Sequence, residues 1–137
     1  MRLWIPVVLM NLFLVGCASL DVERAPGRSV DTAQSFYVEK LPADGRGIEQ
    51  VIADQLNLMG YSARSGTPGQ NGNGADVLVT YQDRWYWDIT MYMRQLDVQF
   101  RDPLTLEAWV SGSSRRDSLT RKAPPGMARE VLEEMVK

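Results

Sequence analysis

The sequence predicts an α+β fold: one mainly antiparallel sheet with two helices packed on one face, in the order β-α-β-β-β-β-α. Apolar residues recur at helical spacing in two segments, one in the first half of the chain and one at its C-terminus. Other segments alternate apolar and polar residues over short runs separated by turn sequences. Because several of these strands follow one another directly, we expect them to pair antiparallel.

The first predicted strand is SFYVEKL, residues 35–41, in which apolar and polar side chains alternate until Pro42 ends the run. The first predicted helix ends at Gly60, because glycine is typical of the position after a helix. Its apolar stripe consists of Ile48, Val51, Ile52, Leu56 and Met59. The short segment GYSARS then predicts a second strand, and GTPGQNGNG, residues 66–74, predicts a flexible loop.

The central strands begin with ADVLVTYQ, residues 75–82. Strand character continues through RWYWDITMYM, residues 84–93, to QLDVQFRD, residues 95–102. An Asp-Pro turn follows, and TLEAWVSGS, residues 105–113, predicts the returning strand. These runs supply the middle of the predicted sheet.

The C-terminal segment predicts a helix that has Pro125 in its first turn. Its apolar stripe consists of Met127, Ala128, Val131, Leu132, Met135 and Val136. A helix this short needs to dock on the sheet in order to persist.

The stretch RWYWDITMYM is unusually rich in aromatic residues and methionine. If residues 84–93 form one strand, its odd positions face the core and its even positions face solvent. The odd positions are Trp85, Trp87, Ile89, Met91 and Met93. The even positions, continued to residue 94, are Tyr86, Asp88, Thr90, Tyr92 and Arg94. Downstream the apolar residues lie at even positions, so a bulge or break is expected near Arg94-Gln95.

Residues 1–16 have the features of a secretory signal, because a basic start precedes an apolar run too short to span a bilayer comfortably. The ending LVGC resembles the lipobox of bacterial lipoproteins. That resemblance implies cleavage before Cys17, which would carry acyl chains such as palmitate. Because Ala18 and Ser19 follow rather than Asp, it also implies the periplasmic side of the outer membrane. Residues 17–35 are predicted as the lipidated cysteine and a flexible tether of about 25 Å, and residues 36–137 as a periplasmic domain.

Other features of the chain resemble a group of small bacterial lipoproteins classed only as a domain of unknown function. These features are the lipobox, the early strand and helix, the ADVLVTY strand, and a late strand with Trp109 and Gly112 after an aspartate turn. The layout is more loosely similar to the curli-secretion lipoprotein, to the lipoprotein activator of a penicillin-binding protein and to the amino-terminal domain of TolB. The resemblance implies a non-enzymatic role in the cell envelope.

Composition excludes several kinds of chemistry. The chain has no histidine, and its one cysteine is assigned to lipid, which removes the usual nucleophile pairs and the commonest zinc ligand. Asp83 and Asp88 would point to opposite faces of one strand. No catalytic residue, metal or cofactor is therefore predicted. Without the signal the chain carries 14 basic and 17 acidic residues, a net charge of −3, so nucleic acid is not expected as a partner.

The candidate interaction residues fall in two segments, the even face of residues 84–94 and the basic segment RRDSLTRK, residues 115–122. They are Tyr86, Asp88, Tyr92, Arg94, Arg115, Arg116, Arg121 and Lys122. The basic segment could contact lipid headgroups, lipopolysaccharide phosphate or an acidic patch on a protein. We expect an outer-membrane lipoprotein that acts as an interaction or accessory module for an envelope protein. The alternative is a ligand-binding module that uses Trp85 and Trp87 for a glycan or an apolar molecule.

Overall fold

The computed structural model describes residues 16–137, except for the side chains of residues 70 and 71. The predicted signal therefore lies outside the described residues, apart from Gly16. The strands are β1 (Ala18–Arg24), β2 (Ser35–Glu39), β3 (Ser62–Gly66), β4 (Val77–Asp88), β5 (Thr90–Arg101) and β6 (Ala108–Arg116). The helices are α1 (Ile48–Leu58) and α2 (Pro124–Met135), and a 3₁₀ turn covers Gln70–Gly74.

All six described strands form one sheet in the order β1-β6-β5-β4-β2-β3. The pairs β1–β6, β6–β5 and β5–β4 are antiparallel, whereas β4–β2 and β2–β3 are parallel. Both helices contribute to one continuous apolar core against the sheet. The predicted α+β fold with a mainly antiparallel sheet is confirmed.

The buried carboxylate of Asp44 accepts backbone hydrogen bonds at the start of helix α1. Asp44 accepts hydrogen bonds from the backbone N–H of Arg46 (2.6 Å) and Ile48 (2.9 Å) and from the hydroxyl of Tyr81 (2.7 Å). Burial alone would raise the pKa of Asp44, but the hydrogen bonds from Tyr81 and the two amides outweigh it and hold that pKa below its ordinary value. The same burial and the neighbouring Asp44 raise the pKa of the Tyr81 hydroxyl. This contact ties α1 to β4.

Helix α2 docks on β6 at Gly112. A Cβ added at this glycine would lie 2.7 Å from the Cγ2 of Val131 and 2.8 Å from the Cγ of Met135. The missing side chain therefore lets the helix approach the strand closely. The apolar stripe of α2 is buried as predicted at Met127, Ala128, Val131, Leu132 and Met135.

The predicted flexible tether is wrong for residues 18–24, which form strand β1. This strand pairs antiparallel with β6, from Ala18 opposite Arg116 to Arg24 opposite Val110. Its residues are exposed except for Val22, which is half-buried. Its apolar residues do alternate with polar ones, but over only three positions before Pro26 and Gly27, so the sequence favours a tether over an edge strand.

The stretch RWYWDITMYM is a hairpin rather than one strand. Strand β4 ends at Asp88 and β5 begins at Thr90, with Ile89 between them at a φ of 63°. Arg84 pairs with Gln95, but the next residue, Trp85, pairs with Met93. Arg94 is therefore the additional residue of a bulge in β5. The change of phase predicted near Arg94-Gln95 is confirmed as this bulge.

Candidate binding surface at the hairpin end

One end of the sheet carries a projecting hairpin. Strand β4 pairs with β2 only at Val77–Val79, and β5 pairs with β6 only from Gln95 onward. Among the described strands, residues 85–94 therefore pair only with each other, and we call them the outer hairpin. The C-terminus of β6 and the N-terminus of β1 lie at this same end, since Gln95 pairs with Arg115 and Ala18 with Arg116. We call it the hairpin end.

The tip of the outer hairpin exposes large apolar side chains. Trp87 is 67% exposed, Ile89 86% and Met91 43%. Trp87 and Met91 are paired across the two strands, so their side chains share one face. The prediction that this odd face is core is wrong for these three residues, because neither helix nor neighbouring strand reaches beyond the inner part of the hairpin. It is right for Met93, which is buried.

Trp85 is half-buried and packs against the core. The guanidinium of Arg46 lies 3.9 Å from the centroid of its ring, and its indole N–H donates a hydrogen bond to Asp83 (2.7 Å). Arg46 therefore occupies one face of the indole, and Asp83 takes its N–H. Trp85 and Trp87 are thus not equally accessible to a ligand.

Tyr92 was predicted on the displayed face, but it is only 8% exposed. The guanidinium of Arg121 lies 4.6 Å from its ring centroid, and the ring of Tyr86 meets it edge-on at 6.4 Å. These two neighbours cover Tyr92 and remove it from the surface. Tyr86 itself remains about half exposed, with Arg94 over its ring at 5.0 Å.

The two predicted segments meet in the structure through Arg121. Its guanidinium donates to the backbone carbonyl of Asp88 (2.5 Å) and to the hydroxyls of Ser118 (2.9 Å) and Thr90. The loop after β6 is thereby attached to the turn of the outer hairpin. Separate sequence segments thus contribute to one surface.

The other basic residues predicted to form the surface divide into two groups. Arg116 and Lys122 both contact Glu130 of α2, at 2.5 and 2.7 Å, and the hydroxyl of Ser114 donates to the same carboxylate. Burial would raise the pKa of Glu130, but these hydrogen bonds outweigh it and keep the pKa low. Arg94 and Arg115 are exposed, and within residues 16–137 neither forms an ion pair with a carboxylate. Their charges are available to a partner.

Cys17 is exposed and lies at the hairpin end, one residue before β1. Its backbone N–H donates to the carboxylate of Asp117 (2.5 Å), and its carbonyl accepts from the hydroxyl of Thr120 (3.0 Å). The Cys17 amide is the main reason that the pKa of Asp117 lies below its ordinary value. Leu119, in the same loop, is 63% exposed.

The open face of the sheet carries a second, polar surface. A cavity of about 550 Å³ lies there, lined by Thr80, Gln82, Asp97, Gln99, Arg101 and their neighbours. Arg101 donates to Thr80 (2.9 Å) and to the carbonyl of Leu106 (2.8 Å), so much of its hydrogen-bonding capacity is used internally. Among residues 16–137 no cluster of acidic residues and cysteine is suited to hold a metal ion. In the same part of the chain, no helix has the length and apolarity needed to cross a bilayer.

Sequence reasoning missed three residues of the hairpin end: Arg46, Asp117 and Leu119. Asp117 and Thr120 form a local turn, and an Asp three residues before a Thr is a signal that could have indicated it. Arg46 reaches Trp85 from another part of the chain, which no local pattern reveals.

The fold and this surface define an α+β domain with a projecting apolar hairpin beside an exposed cysteine. Its fold is similar to that of PelC from Paraburkholderia phytofirmans, solved as a dodecamer, with a TM-score of 0.58 and 12% identity over 88% of this chain and 95% of that one. A point variant of the same PelC dodecamer has a TM-score of 0.56 and 14% identity, over 85% of this chain and 95% of that one. TolB from Acinetobacter baumannii gives 0.46 and 14% identity over 88% of this chain and 29% of that one. No family model and no curated protein matches the chain.

Proposed function

We propose that this chain is a lipoprotein held by Cys17 at the periplasmic side of the outer membrane, where it acts as a non-enzymatic interaction module of the cell envelope. The observation that carries the proposal is the position of Cys17 in the fold. It is exposed, follows the lipobox-like LVGC, and leads directly into β1. Acyl chains on this residue would hold the hairpin end at the membrane surface without unfolding any part of the sheet.

The parts of the domain away from the hairpin end would then be available to a protein partner. They include the polar open face and the two edge strands, β1 and β3, whose outer backbone groups have no strand partner in the described sheet. The PelC structures are dodecamers. Self-association is therefore one form of assembly that this module could support.

The anchoring is tested by metabolic labelling with a fatty-acid analogue and by density fractionation of the membranes. The wild-type chain should incorporate label and sediment with the outer membrane, whereas Cys17→Ser should incorporate none. A wild-type chain that stays soluble and unlabelled would refute the proposed anchor.

The module role requires a separate test, by photo-crosslinking in intact cells. Reactive groups placed at Gln82, on the open face, and at Arg64, on strand β3, should give discrete adducts. A matched group at Asp54, on the exposed side of α1, serves as the control. Labelling at all three positions that is equally diffuse would argue against a defined partner.

A second candidate is a ligand-binding module in which Trp87 stacks on a glycan or an apolar molecule. The exposure of Trp87 favours it, although Trp85 is covered by Arg46. Titration with soluble glycans while the tryptophan emission is recorded tests this candidate, with Trp87→Phe as the control. A saturable change that the control lacks would support it.

A further inference from the structure

We propose that the hairpin end is a bilayer-contacting surface: Trp87, Ile89 and Met91, together with Leu119, insert into the interfacial region of the leaflet that holds the acyl chains of Cys17. This inference rests on the proposed function, because it assumes the lipid on Cys17. It adds a second attachment that fixes how the domain is oriented on the membrane.

In the described part of the chain, no flexible segment separates Cys17 from the folded domain. The residue that would carry the lipid is hydrogen-bonded through its backbone to Asp117 and Thr120. Strand β1 begins at the next residue and pairs immediately with β6. An acylated Cys17 therefore brings the hairpin end to the headgroups, since no flexible segment could lift it away.

The hairpin end exposes side chains whose chemistry suits the interface of a membrane. The outer hairpin and the loop after β6 expose one indole and three other large apolar side chains, while Arg94 and Arg115 have no carboxylate partner among residues 16–137. Tryptophan favours the boundary between headgroups and hydrocarbon, and arginine favours lipid phosphates. Apolar contacts of this kind add to the membrane affinity of the acyl chains and fix the orientation of the domain.

The residue at the turn of the outer hairpin is unfavourable for the backbone conformation that it adopts. Ile89 has a φ of 63° and is 86% exposed. A β-branched residue in this left-handed region is strained, whereas glycine or asparagine would be relaxed there. A strained, exposed isoleucine gives the folded domain little stability in water, but it gives the tip an apolar surface to insert.

The test uses the acylated protein reconstituted in vesicles of phosphatidylethanolamine and phosphatidylglycerol, with and without brominated acyl chains. The signal of Trp87 is obtained by subtracting the emission of a Trp87→Phe variant. Brominated lipid should quench the Trp87 emission, and the vesicles should protect it from acrylamide.

A matched control moves the indole to the other end of the sheet. Leu104 lies in the turn between β5 and β6 and is 74% exposed. In the double variant Trp87→Phe/Leu104→Trp, the indole should be insensitive to brominated lipid and open to acrylamide. Equal quenching by brominated lipid at both positions would show that no particular end faces the bilayer, and would overturn the inference.

The mass of the chain in the same preparation shows whether Cys17 is acylated, and this distinguishes failure of the anchor from failure of the bilayer contact. If Cys17 is acylated but acrylamide reaches Trp87 equally with and without vesicles, the bilayer contact is wrong while the anchor stands. If Cys17 carries no lipid, the anchor fails and the bilayer contact fails with it. Trp87 protected by a soluble glycan rather than by vesicles would overturn the inference in favour of a glycan site.

Ile89→Asn provides a second test, in which both the melting temperature and the quenching of Trp87 are measured. Relief of the backbone strain should leave the melting temperature unchanged or higher, while the quenching of Trp87 by brominated lipid should decrease. A purely structural role for Ile89 predicts a lower melting temperature instead, and that result would contradict the assignment of this residue to the bilayer contact.

Discussion

The inner half of the β4–β5 hairpin, residues 77–82 and 95–101, joins β2 on one side and β6 on the other. Among the described strands, the outer half, residues 85–94, pairs only with itself. Both halves carry apolar side chains at alternate positions. In the inner half Val79, Val98 and Phe100 are completely buried, but in the outer half Trp87 is two-thirds exposed. The neighbours of a strand, rather than its own alternation, decide which apolar face becomes core.

This difference has an energetic meaning. Burial of apolar surface contributes roughly 25 cal/mol per Å², so the inner half stabilises the fold and the tip of the outer half does not. The tip retains apolar surface that can still be removed from water by a partner. The two halves should therefore respond to substitution in different ways.

The largest effect should come from Phe100→Ala in the inner half. Phe100 is fully buried, and the centroid of its ring lies 5.5 Å from that of Phe36 and 6.0 Å from that of Trp109. Removing its ring should cost about 3–5 kcal/mol of the free energy of unfolding. Denaturant unfolding measures this change, and a loss below about 1 kcal/mol would mean that the inner half is not the core.

A smaller loss of the free energy of unfolding is expected from Gly112→Ala, which tests the docking of α2 on the sheet. The new methyl group would push against Val131 and Met135 of α2, and such overpacking costs about 1–3 kcal/mol. Gly45→Ala is the matched control, because a Cβ there meets nothing within 4 Å. If thermal unfolding gave the two variants the same melting temperature, the close docking of α2 on β6 would be wrong.

Acid should act through Glu130, which holds the loop beside the outer half. Its pKa is lowered in the folded protein from 4.5 despite burial. The stability that it contributes is therefore present above its unfolded pKa and is lost as the pH falls through the lower folded value. In Glu130→Gln the free energy of unfolding should be lower at neutral pH and should fall less between pH 5 and pH 3. Parallel pH profiles for the two proteins would contradict this role.

The smallest effect on stability should come from Trp87→Ala in the outer half. Because the indole is 67% exposed, the free energy of unfolding should change by no more than about 0.5 kcal/mol, and the melting temperature should hardly move. The variant should instead lose binding, whether to a bilayer or to another ligand. Unfolding of Trp87→Ala at room temperature would place this residue in the core and would remove the contrast between the two halves.

Most of the fold could be predicted because its main elements contain local signals. The stripe on α2 and the bulge at Arg94 follow from the spacing of apolar residues. The turn at Ile89 could not be found this way, since isoleucine is unfavourable in the left-handed conformation and gives no hairpin signal. Strand β1 was missed because its alternation covers only three apolar residues before Pro26 and Gly27. The hydrogen bond from Arg121 to Asp88 joins residues 33 positions apart. The sequence could therefore identify both segments of the surface, but it could not show that they are in contact.

The most direct test of the central claim is the intact mass of the chain extracted from membranes. Both proposals require a lipid on Cys17 at the hairpin end. The expected result is a chain that begins at Cys17 and carries the additional mass of acyl chains, located on Cys17 by fragmentation. A chain of unmodified mass with a free Cys17 thiol would contradict the account.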